Sequence, residues 1–281
     1  RENLEKYKKL ASDQANPYDS IGELELARGN YQDALKYFLK ALDVNPNLRF
    51  VLHHLGEVHE VQGLYAEAIE YYRKAAEKAI GPEAESFSRQ YLAYSHLRRG
   101  DLKQALTEGK RAVELNPRDP SSHFYLGLVY LAMGNLDAAQ EAATKIDEQI
   151  ESRNLRQYGT DRLFYHLTGQ IQLVRKEYQA GVDSHRQAVD LTPNPLYRNF
   201  YLRALGNAYL RAGRMEEALA SLQMGLSQNP HDADCLKTMI FIYKELGDKK
   251  LAKEYMNRFW DVVKDADRGV PWIREVDKIR L

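Results

Sequence analysis

The sequence contains a single cysteine, Cys235, among its 281 residues. One cysteine excludes an internal disulfide and a zinc site built from several cysteines. Because no motif partner lies near it, we interpret Cys235 as a small buried residue. No stretch approaches the roughly 18 consecutive apolar residues that a membrane-spanning helix needs, so we expect no direct insertion into a membrane.

The chain also lacks an excess of charge of either sign. Its 40 Lys and Arg residues balance 40 Asp and Glu residues, which gives a net charge of +0 and a pI of about 7.3. Nucleic-acid binders usually carry a clear basic excess, so we expect no nucleic-acid partner. The 44% hydrophobic and 28% charged residues are typical of a soluble folded chain. We predict a cytoplasmic location, with a soluble extracytoplasmic location as the alternative.

Motifs for catalysis and metal binding are missing as well. The sequence has no Walker A loop and none of the patterns GxGxxG, HExxH, GxSxG or an EF-hand. His53 and Glu57 share a helical face within HHLGEVHE, but His54 and His59 point elsewhere and no third ligand is evident. We interpret these histidines as groove and packing residues. The sequence therefore predicts no enzyme, no metal and no cofactor.

Internal repetition is the strongest feature of this chain. In six of the seven copies a large residue precedes a small one, at Ile21-Gly22, Leu55-Gly56, Leu92-Ala93, Leu126-Gly127, Thr168-Gly169 and Leu205-Gly206. The seventh copy has Met239-Ile240 at this position. Seven residues later comes a turn residue, at Gly29, Gly63, Gly100, Gly134, Lys176, Gly213 and Gly247. Five residues after that comes another small residue, at Ala34, Ala68, Ala105, Ala139, Gly181, Ala218 and Ala252.

This pattern predicts two antiparallel helices per copy. Apolar residues recur at helical spacing on both sides of each turn. Glycine at the turn adopts a left-handed conformation without steric cost, and small residues let the paired helices approach closely. Four copies close with a proline that ends the second helix, at Pro46, Pro117, Pro193 and Pro230. Because one helix pair cannot bury its own apolar face, the pairs must stack on each other.

At these residues the sequence resembles the tetratricopeptide repeat family, in a form typical of bacterial proteins. The resemblance covers roughly residues 15–260 and implies an all-α, right-handed superhelix, or α-solenoid, of about seven helix pairs with terminal capping helices. The sequence departs from the family pattern at Lys176, at Ile240 and at the missing prolines of the second, fourth and seventh copies. The resemblance also implies that the first helix of each pair lines a concave groove.

We assign the whole chain, 1–281, to one solenoid. Residues 1–14 form a half-repeat or a capping helix, and 265–281 a C-terminal capping helix over the last repeat. The repeats lie near 15–48, 49–85, 86–119, 120–161, 162–198, 199–232 and 233–264. The fourth copy carries eight extra residues around Glu151–Asp161, which form either part of a binding face or a tolerated loop.

The resemblance places candidate partner-binding residues on the concave groove. Aromatic residues, which make good binding anchors, concentrate at its middle. For each of them, packing between repeats is the alternative interpretation. The candidate residues are Phe50, His53, Phe87, Tyr91, Tyr94, Phe124, Tyr125, His166, Arg203, Asn207 and Lys237.

Charge is graded along the same surface. Acidic residues lie towards the N-terminus at Asp19, Glu23 and Glu57, and basic residues towards the C-terminus at Arg203, Arg211, Lys237 and Lys244. Such a gradient would orient an extended peptide, although ordinary surface charge also explains it. Arg203 and Asn207 resemble the first pair of a family clamp for a peptide's terminal carboxylate. Thr238 stands where the next Asn is expected, so the clamp is incomplete.

These observations favour a non-catalytic scaffold or adaptor that binds a protein or an extended peptide in the concave groove. The alternative is a sensory or regulatory region cut from a larger bacterial signalling enzyme, such as a kinase or a cyclase. The half-repeat that begins at Arg1 and a weak resemblance of the tail DADRGVPWIREVDKIRL to bacterial signalling proteins motivate it. A homo-oligomerisation module is a third possibility, and an enzyme acting in the insert around Tyr158 is a fourth.

Overall fold

A computed structural model of the chain describes residue 6 and residues 14–280. The described residues form fifteen α-helices and one short 3-10 helix, with no strand among them. The expected half-repeat or cap at residues 1–14 lies almost wholly outside the described residues.

Fourteen of the helices form seven consecutive antiparallel pairs. The pairs are α1 (Asn16–Ala27) with α2 (Tyr31–Val44), α3 (Arg49–Val61) with α4 (Tyr65–Glu77), α5 (Pro82–Arg99) with α6 (Leu102–Leu115), α7 (Pro120–Ala132) with α8 (Leu136–Ser152), α9 (Asp161–Val174) with α10 (Tyr178–Asp190), α11 (Pro195–Arg211) with α12 (Met215–Gln228), and α13 (Ala233–Glu245) with α14 (Lys249–Val263). The last helix, α15 (Pro271–Asp277), begins at a proline, a residue favoured at the first helical position.

Local sequence explains the helix ends. All six predicted turn glycines adopt the left-handed conformation, with φ between 74° and 94°. Lys176 adopts it too, at φ 65°, although a side chain there is strained. Several second helices begin at an acidic or amide side chain that accepts a backbone N–H bond, such as Asp101 from Gln104. The predicted turns are therefore confirmed, including the one without glycine.

The small residues let the two helices of a pair meet. A Cβ added at Gly22 would lie 2.5 Å from the Phe38 ring, and one at Gly56 would lie 2.5 Å from Tyr72. Each of these aromatic rings is fully buried against the glycine of its partner helix. Helix α2 shows the matching apolar stripe, because its buried residues Tyr31, Ala34, Phe38 and Ala41 recur three or four positions apart.

The insertion in the fourth pair is a compact turn. Helix α8 runs on to Ser152, and the 3-10 helix Arg156–Tyr158 follows it. The guanidinium of Arg156 bonds to Asp147 and Glu151 at 2.8 and 2.9 Å and also to Asp161. The extra residues are thus held against the helices that flank them.

The first helices of the pairs form the inner wall of the superhelix. Helices α5, α7, α9, α11 and α13 contact one another in that order along the array. The C-terminal end of the array reaches the N-terminal repeats. One apolar cluster contains Tyr65 of the second repeat together with Phe259, Trp272 and other residues of the last repeats and the tail. The array is therefore closed on itself.

Candidate functional site

The aromatic residues predicted at the middle of the groove lie against each other on α3, α5 and α7. The Phe87 and Tyr91 rings are 5.1 Å apart, Tyr91 and Tyr125 are 6.0 Å apart, and Tyr94 and Tyr125 are 5.8 Å apart. Phe87, Tyr91 and Tyr94 recur at helical spacing along α5. The repeat places Phe50 of α3 at the position equivalent to Phe87, and Tyr125 of α7 at the position equivalent to Tyr91. We call Phe50, Phe87, Tyr91, Tyr94 and Tyr125 the aromatic strip.

The outer end of the aromatic strip is open to solvent. Phe50 is 57% exposed and Phe87 is 37% exposed. The guanidinium of Arg49 lies 5.0 Å from the Phe50 ring and 5.8 Å from the Phe87 ring, so the cation links the two rings. Exposed rings of this size with an adjacent cation form a surface that a partner can cover.

Other predicted groove residues are packing residues in the structure. Phe124 is 3% exposed and joins the buried cluster of the fourth and fifth repeats, where it contacts His166 at 5.6 Å. His53 is also buried, and its Nε2 lies 3.0 Å from the Ser88 hydroxyl. Burial lowers the pKa of His53 to about 3 and that of His166 well below its usual value, so both are neutral. These three side chains follow the packing alternative that the sequence left open.

The basic candidates at the C-terminal end have partners within the chain. Arg203 Nη1 lies 3.1 Å from Asp234 Oδ2, and Lys237 Nζ donates to Glu275 at 2.8 Å. Asn207 Oδ1 accepts from the Thr238 hydroxyl at 3.2 Å. The carboxylate that a clamp would take from a ligand is supplied here by aspartates of the last repeat. We call Arg203, Asn207 and Lys237 the sealed half of the concave face.

The acidic end of the predicted gradient is partly neutralised as well. His54 Nδ1 lies 2.8 Å from Asp19 Oδ1, and its Nε2 lies 3.5 Å from Glu23. Burial lowers the pKa of His54, but the bond and charge of Asp19 outweigh it and raise the pKa overall. Glu57 lies nearby on α3, and burial raises the pKa of its carboxyl. Of the other predicted cations, Arg211 lies over the Tyr178 ring and Lys244 is exposed.

A group of contacts that the sequence did not predict crosses from the last repeats to the first three. Arg98 on α5 donates from Nη2 to Asp234 on α13 at 2.8 Å, and its guanidinium lies 4.6 Å from the Trp272 ring. The indole N–H of Trp272 donates to the Tyr65 hydroxyl at 2.9 Å. Burial would raise the pKa of Asp234, but Arg98 and Arg203 outweigh it and hold the pKa well below its usual range.

A second feature missed from the sequence is the pair of Glu60 and Ser95. The Ser95 hydroxyl donates to Glu60 Oε2 at 2.5 Å. Burial raises the pKa of Glu60 to about 7. Aligning the repeats could have revealed Glu60 as unusual, because five other copies carry leucine at the equivalent position. These leucines are Leu26, Leu97, Leu131, Leu173 and Leu210.

The C-terminal helix does more than cover the last repeat. Trp272, Ile273 and Val276 are buried, and Trp272 lies 5.9 Å from Phe259 of α14. The same helix reaches α5 of the third repeat. The expected cap over the last repeat is therefore also a contact with the N-terminal half.

The described residues contain no group of three His, Cys, Asp or Glu side chains arranged to hold a metal ion. His59 Nδ1 lies 2.7 Å from the Leu55 carbonyl.

No helix in the described part of the chain is long and apolar enough to cross a membrane.

Family profiles match three parts of the chain. Those described as "Tetratricopeptide repeat" match residues 20–85 and 202–234, and one described as "TPR repeat" matches residues 93–134.

Two curated relatives match parts of the chain. A "Photosystem I assembly protein Ycf3" of Synechococcus sp. (strain WH7803) is 30% identical over 71 residues, which cover 25% of this chain and 41% of that protein. A "TPR repeat-containing protein" of Methanocaldococcus jannaschii is 23% identical over 159 residues, covering 53% of this chain and 26% of the relative. The chain therefore matches less than half the length of either relative.

Solved structures share the fold over most of the chain. A chain of the "APC/C hetero-tetramer Cut9-Hcn1" has a TM-score of 0.56 at 17% identity, covering 97% of this chain and 51% of that one. A tetratricopeptide repeat protein of Parabacteroides merdae has a TM-score of 0.55 at 15% identity, covering 93% and 96%. One from Thermus thermophilus has a TM-score of 0.54 at 24% identity, covering 70% and 98%. At these identities the likeness shows the fold alone.

Proposed function

This chain belongs to the tetratricopeptide repeat family, and from that premise we propose that it is a non-catalytic scaffold or adaptor. It binds a protein or an extended peptide on its concave face. The family generally mediates protein–protein interaction. Within the concave face, the aromatic strip is the surface of this chain that contacts the partner.

The observation that carries this proposal is the exposure of Phe50 and Phe87 on either side of Arg49. Large rings bury much apolar surface and lose little rotamer entropy on binding, so such residues dominate the binding energy of interfaces. Both rings sit on first helices, at the open end of a row of further aromatic rings. A partner that covers them gains apolar contact with both exposed rings.

The comparison with the photosystem assembly proteins agrees with a scaffold role. Their name assigns an assembly function to them, over a match of 71 residues. By analogy, this chain would bring other proteins together rather than transform a substrate. The larger signalling enzyme that the sequence suggested as an alternative, and the cytoplasmic location, stay predictions.

The test places a photo-cross-linking phenylalanine analogue at Phe50 or Phe87 of the full chain in source cells. A matched position on an outer helix is Met224, which is also exposed. We expect positions 50 and 87 to cross-link to proteins that mass spectrometry identifies. Position 224 should not cross-link to the same proteins. The identified partner should then bind the Phe50→Ala/Phe87→Ala variant at least ten times more weakly than the wild type.

The matched control is Leu39→Ala/Met224→Ala, which removes two similarly exposed apolar side chains from second helices. It should bind the partner like the wild type. Equal cross-linking from positions 87 and 224, or equal loss of affinity in both double variants, would contradict the proposed surface.

A further inference from the structure

The inner face of the first two repeats concentrates negative charge beside the aromatic strip. Asp19 and Glu23 lie on α1 and Glu57 lies on α3, and we call these three residues the acidic corner. One histidine serves the first two, because His54 Nδ1 lies 2.8 Å from Asp19 Oδ1 and its Nε2 lies 3.5 Å from Glu23 Oε1. Even a protonated His54 therefore leaves the acidic corner with an excess of negative charge.

Glu57 has no partner for its charge. Within the described part of the chain, its carboxylate makes no hydrogen bond and no ion pair. Burial raises the pKa of Glu57, His54 lowers it, and the charge of Glu23 raises it again. Burial likewise raises the pKa of Glu23, with His54 opposing this effect and Asp19 adding to it. Both carboxylates would gain from an additional cation, because a neighbouring positive charge favours the ionised form.

A buried tyrosine adds an unpaired polar group at the same place. Tyr72 of α4 is 0% exposed, and its hydroxyl has no hydrogen-bond partner among the described residues. A Cβ added at Gly56 would lie 2.7 Å from Tyr72 Cζ, the carbon that carries this hydroxyl. The hydroxyl therefore reaches the inner helix at the residue before Glu57. Buried donors are nearly always paired in folded proteins, so an unpaired one beside a charged group points to a polar ligand.

The chain's own cations on this face are engaged elsewhere. The guanidinium of Arg49 covers the outer rings of the aromatic strip. Arg98 and Arg203 both pair with Asp234. Among the side chains that the structure describes, only His54 pairs with the acidic corner. A cation that a partner brings there meets no competing one from the described part of this chain.

The acidic corner is within reach of a segment that lies on the aromatic strip. Phe50 and Glu57 are two helical turns apart on α3, which is about 10 Å along the helix. Glu23, Glu57 and Tyr94 occupy the same position in the first three repeats, so the acidic corner borders the strip along the array. An extended peptide advances about 3.3 Å per residue, so side chains about three residues apart match the separation of Phe50 and Glu57.

We propose that the acidic corner binds a Lys or Arg side chain of an extended partner segment, while an apolar side chain about three residues away covers Phe50 and Phe87. Opposite charges across an interface give specificity and speed association. This inference rests on the proposed function, because it takes the aromatic strip as the surface that contacts the partner. It commits the partner to a basic segment, since an acidic one would place like charges together at Glu57.

The test selects peptides from a random phage-displayed library on the immobilised full chain. Peptides that are also enriched on the Phe50→Ala/Phe87→Ala variant are discarded, so those that are kept depend on the aromatic strip. They are synthesised with a fluorescent label, and their affinities are measured by fluorescence polarisation. We expect Lys or Arg to be enriched about three residues from a large apolar residue.

A double-mutant cycle then links the peptide's cation to the acidic corner at mildly alkaline pH, where carboxylates are ionised. Glu23→Gln/Glu57→Gln should bind the selected peptides about ten times more weakly than the wild type, because charge-assisted contacts are lost. Replacing the peptide's Lys by norleucine, or its Arg by citrulline, should weaken binding to the wild type by a similar factor. The same replacement should leave binding to Glu23→Gln/Glu57→Gln almost unchanged.

The matched control is Glu67→Gln/Glu77→Gln, which removes two exposed carboxylates from the outer helix α4 and changes the net charge equally. It should bind the peptides like the wild type. Circular dichroism verifies that both variants fold. If Glu23→Gln/Glu57→Gln unfolds, Glu57→Gln alone replaces it, because the Glu57 carboxylate makes no bond that this change would break.

Three results overturn the basic-segment inference while the aromatic strip keeps its role. In the first, the peptides that depend on the strip carry no enriched Lys or Arg. In the second, removing the peptide's cation weakens binding to the wild type and to Glu23→Gln/Glu57→Gln by the same factor. In the third, the control variant loses as much affinity as the acidic-corner variant. A selection that yields no peptide dependent on Phe50 and Phe87 would contradict the proposed function as well.

Discussion

The aromatic strip and the sealed half occupy comparable positions on the inner helices but have different surroundings. In the second to fourth repeats, the open end of the strip faces solvent at Phe50 and Phe87. In the sixth and seventh repeats, Arg203 and Lys237 face acidic residues of the last repeat and the tail. The repeat pattern is the same in both regions, so position within a repeat does not decide availability to a partner. The acidic partners that the last repeat and the tail supply decide it.

The largest effect is expected from removing the tail's main anchor. Trp272 is buried between α14 and the second and third repeats. Trp272→Ala should lower the free energy of unfolding by about 3–5 kcal/mol, because the cavity cannot be filled from either side. Urea unfolding followed by circular dichroism measures this.

Tyr158→Ala is the control for that change, since Tyr158 is 70% exposed in the insertion turn. Its expected cost is below about 0.5 kcal/mol. If Trp272→Ala costs no more than Tyr158→Ala, the tail is not packed as described.

The next effect concerns Glu60, which lies between the two regions. Burial raises its pKa from 4.5 to about 7, so the folded state holds a proton that the unfolded state has lost over this range. Wild-type stability therefore falls as pH rises from 4.5 to 7. Glu60→Gln cannot ionise, and its stability relative to the wild type should rise by about 2–3 kcal/mol between pH 5 and pH 8.

Parallel urea titrations at the two pH values measure the Glu60 effect. Glu67→Gln, at an exposed position of the neighbouring helix, is the control and should show no such difference between pH values. An equal change in both variants would mean that Glu60 is solvated rather than buried against Ser95.

A smaller effect is expected in the fifth repeat, which connects the two regions. Lys176 occupies the left-handed turn position that glycine holds in the other repeats. Lys176→Gly should raise the unfolding free energy by about 0.5–1 kcal/mol, because removing the side chain relieves more strain than the added chain freedom costs. Thermal unfolding checks the sign. A lower midpoint would mean that the Lys176 side chain stabilises the turn by contacts that outweigh its strain.

The smallest effect on stability is expected at the exposed end of the aromatic strip. Phe50→Ala should change the free energy of unfolding by no more than about 0.5 kcal/mol, since the ring is largely in water. Phe124→Ala, at a buried ring, should cost about 3–5 kcal/mol in the same urea experiment. A cost for Phe50→Ala close to that of Phe124→Ala would make Phe50 a packing residue and weaken the proposed surface.

Much of the fold follows from short-range features of the sequence. The turn positions were predicted because glycine tolerates a left-handed backbone, and even Lys176 obeys the register. The close approach at Gly22 and Gly56 was predicted because only small residues leave room for the opposing ring. Both features depend on residues within one helix pair, so local pattern suffices.

The candidate site was less predictable, because burial on the inner wall depends on neighbours in other repeats. Phe87 and Phe124 are both aromatic residues of first helices, yet one is half-exposed and the other is buried against His166. Glu60 could have been found from the sequence, because it places a carboxyl where most other repeats carry leucine. The pairing of Arg98 with Asp234 could not, since no motif connects residues 136 positions apart.

By itself, the sequence determined the helix pairs, their turns, their tetratricopeptide register and the aromatic residues of the inner helices. These properties depend on spacing and on contacts between adjacent helices, which the repeat encodes in every copy. Only the tertiary structure decided that the array closes, that the tail reaches Tyr65 and Arg98, and that Arg203 and Lys237 are paired within the chain. Closure depends on the sum of many small rotations between repeats, and no single stretch of sequence contains that sum.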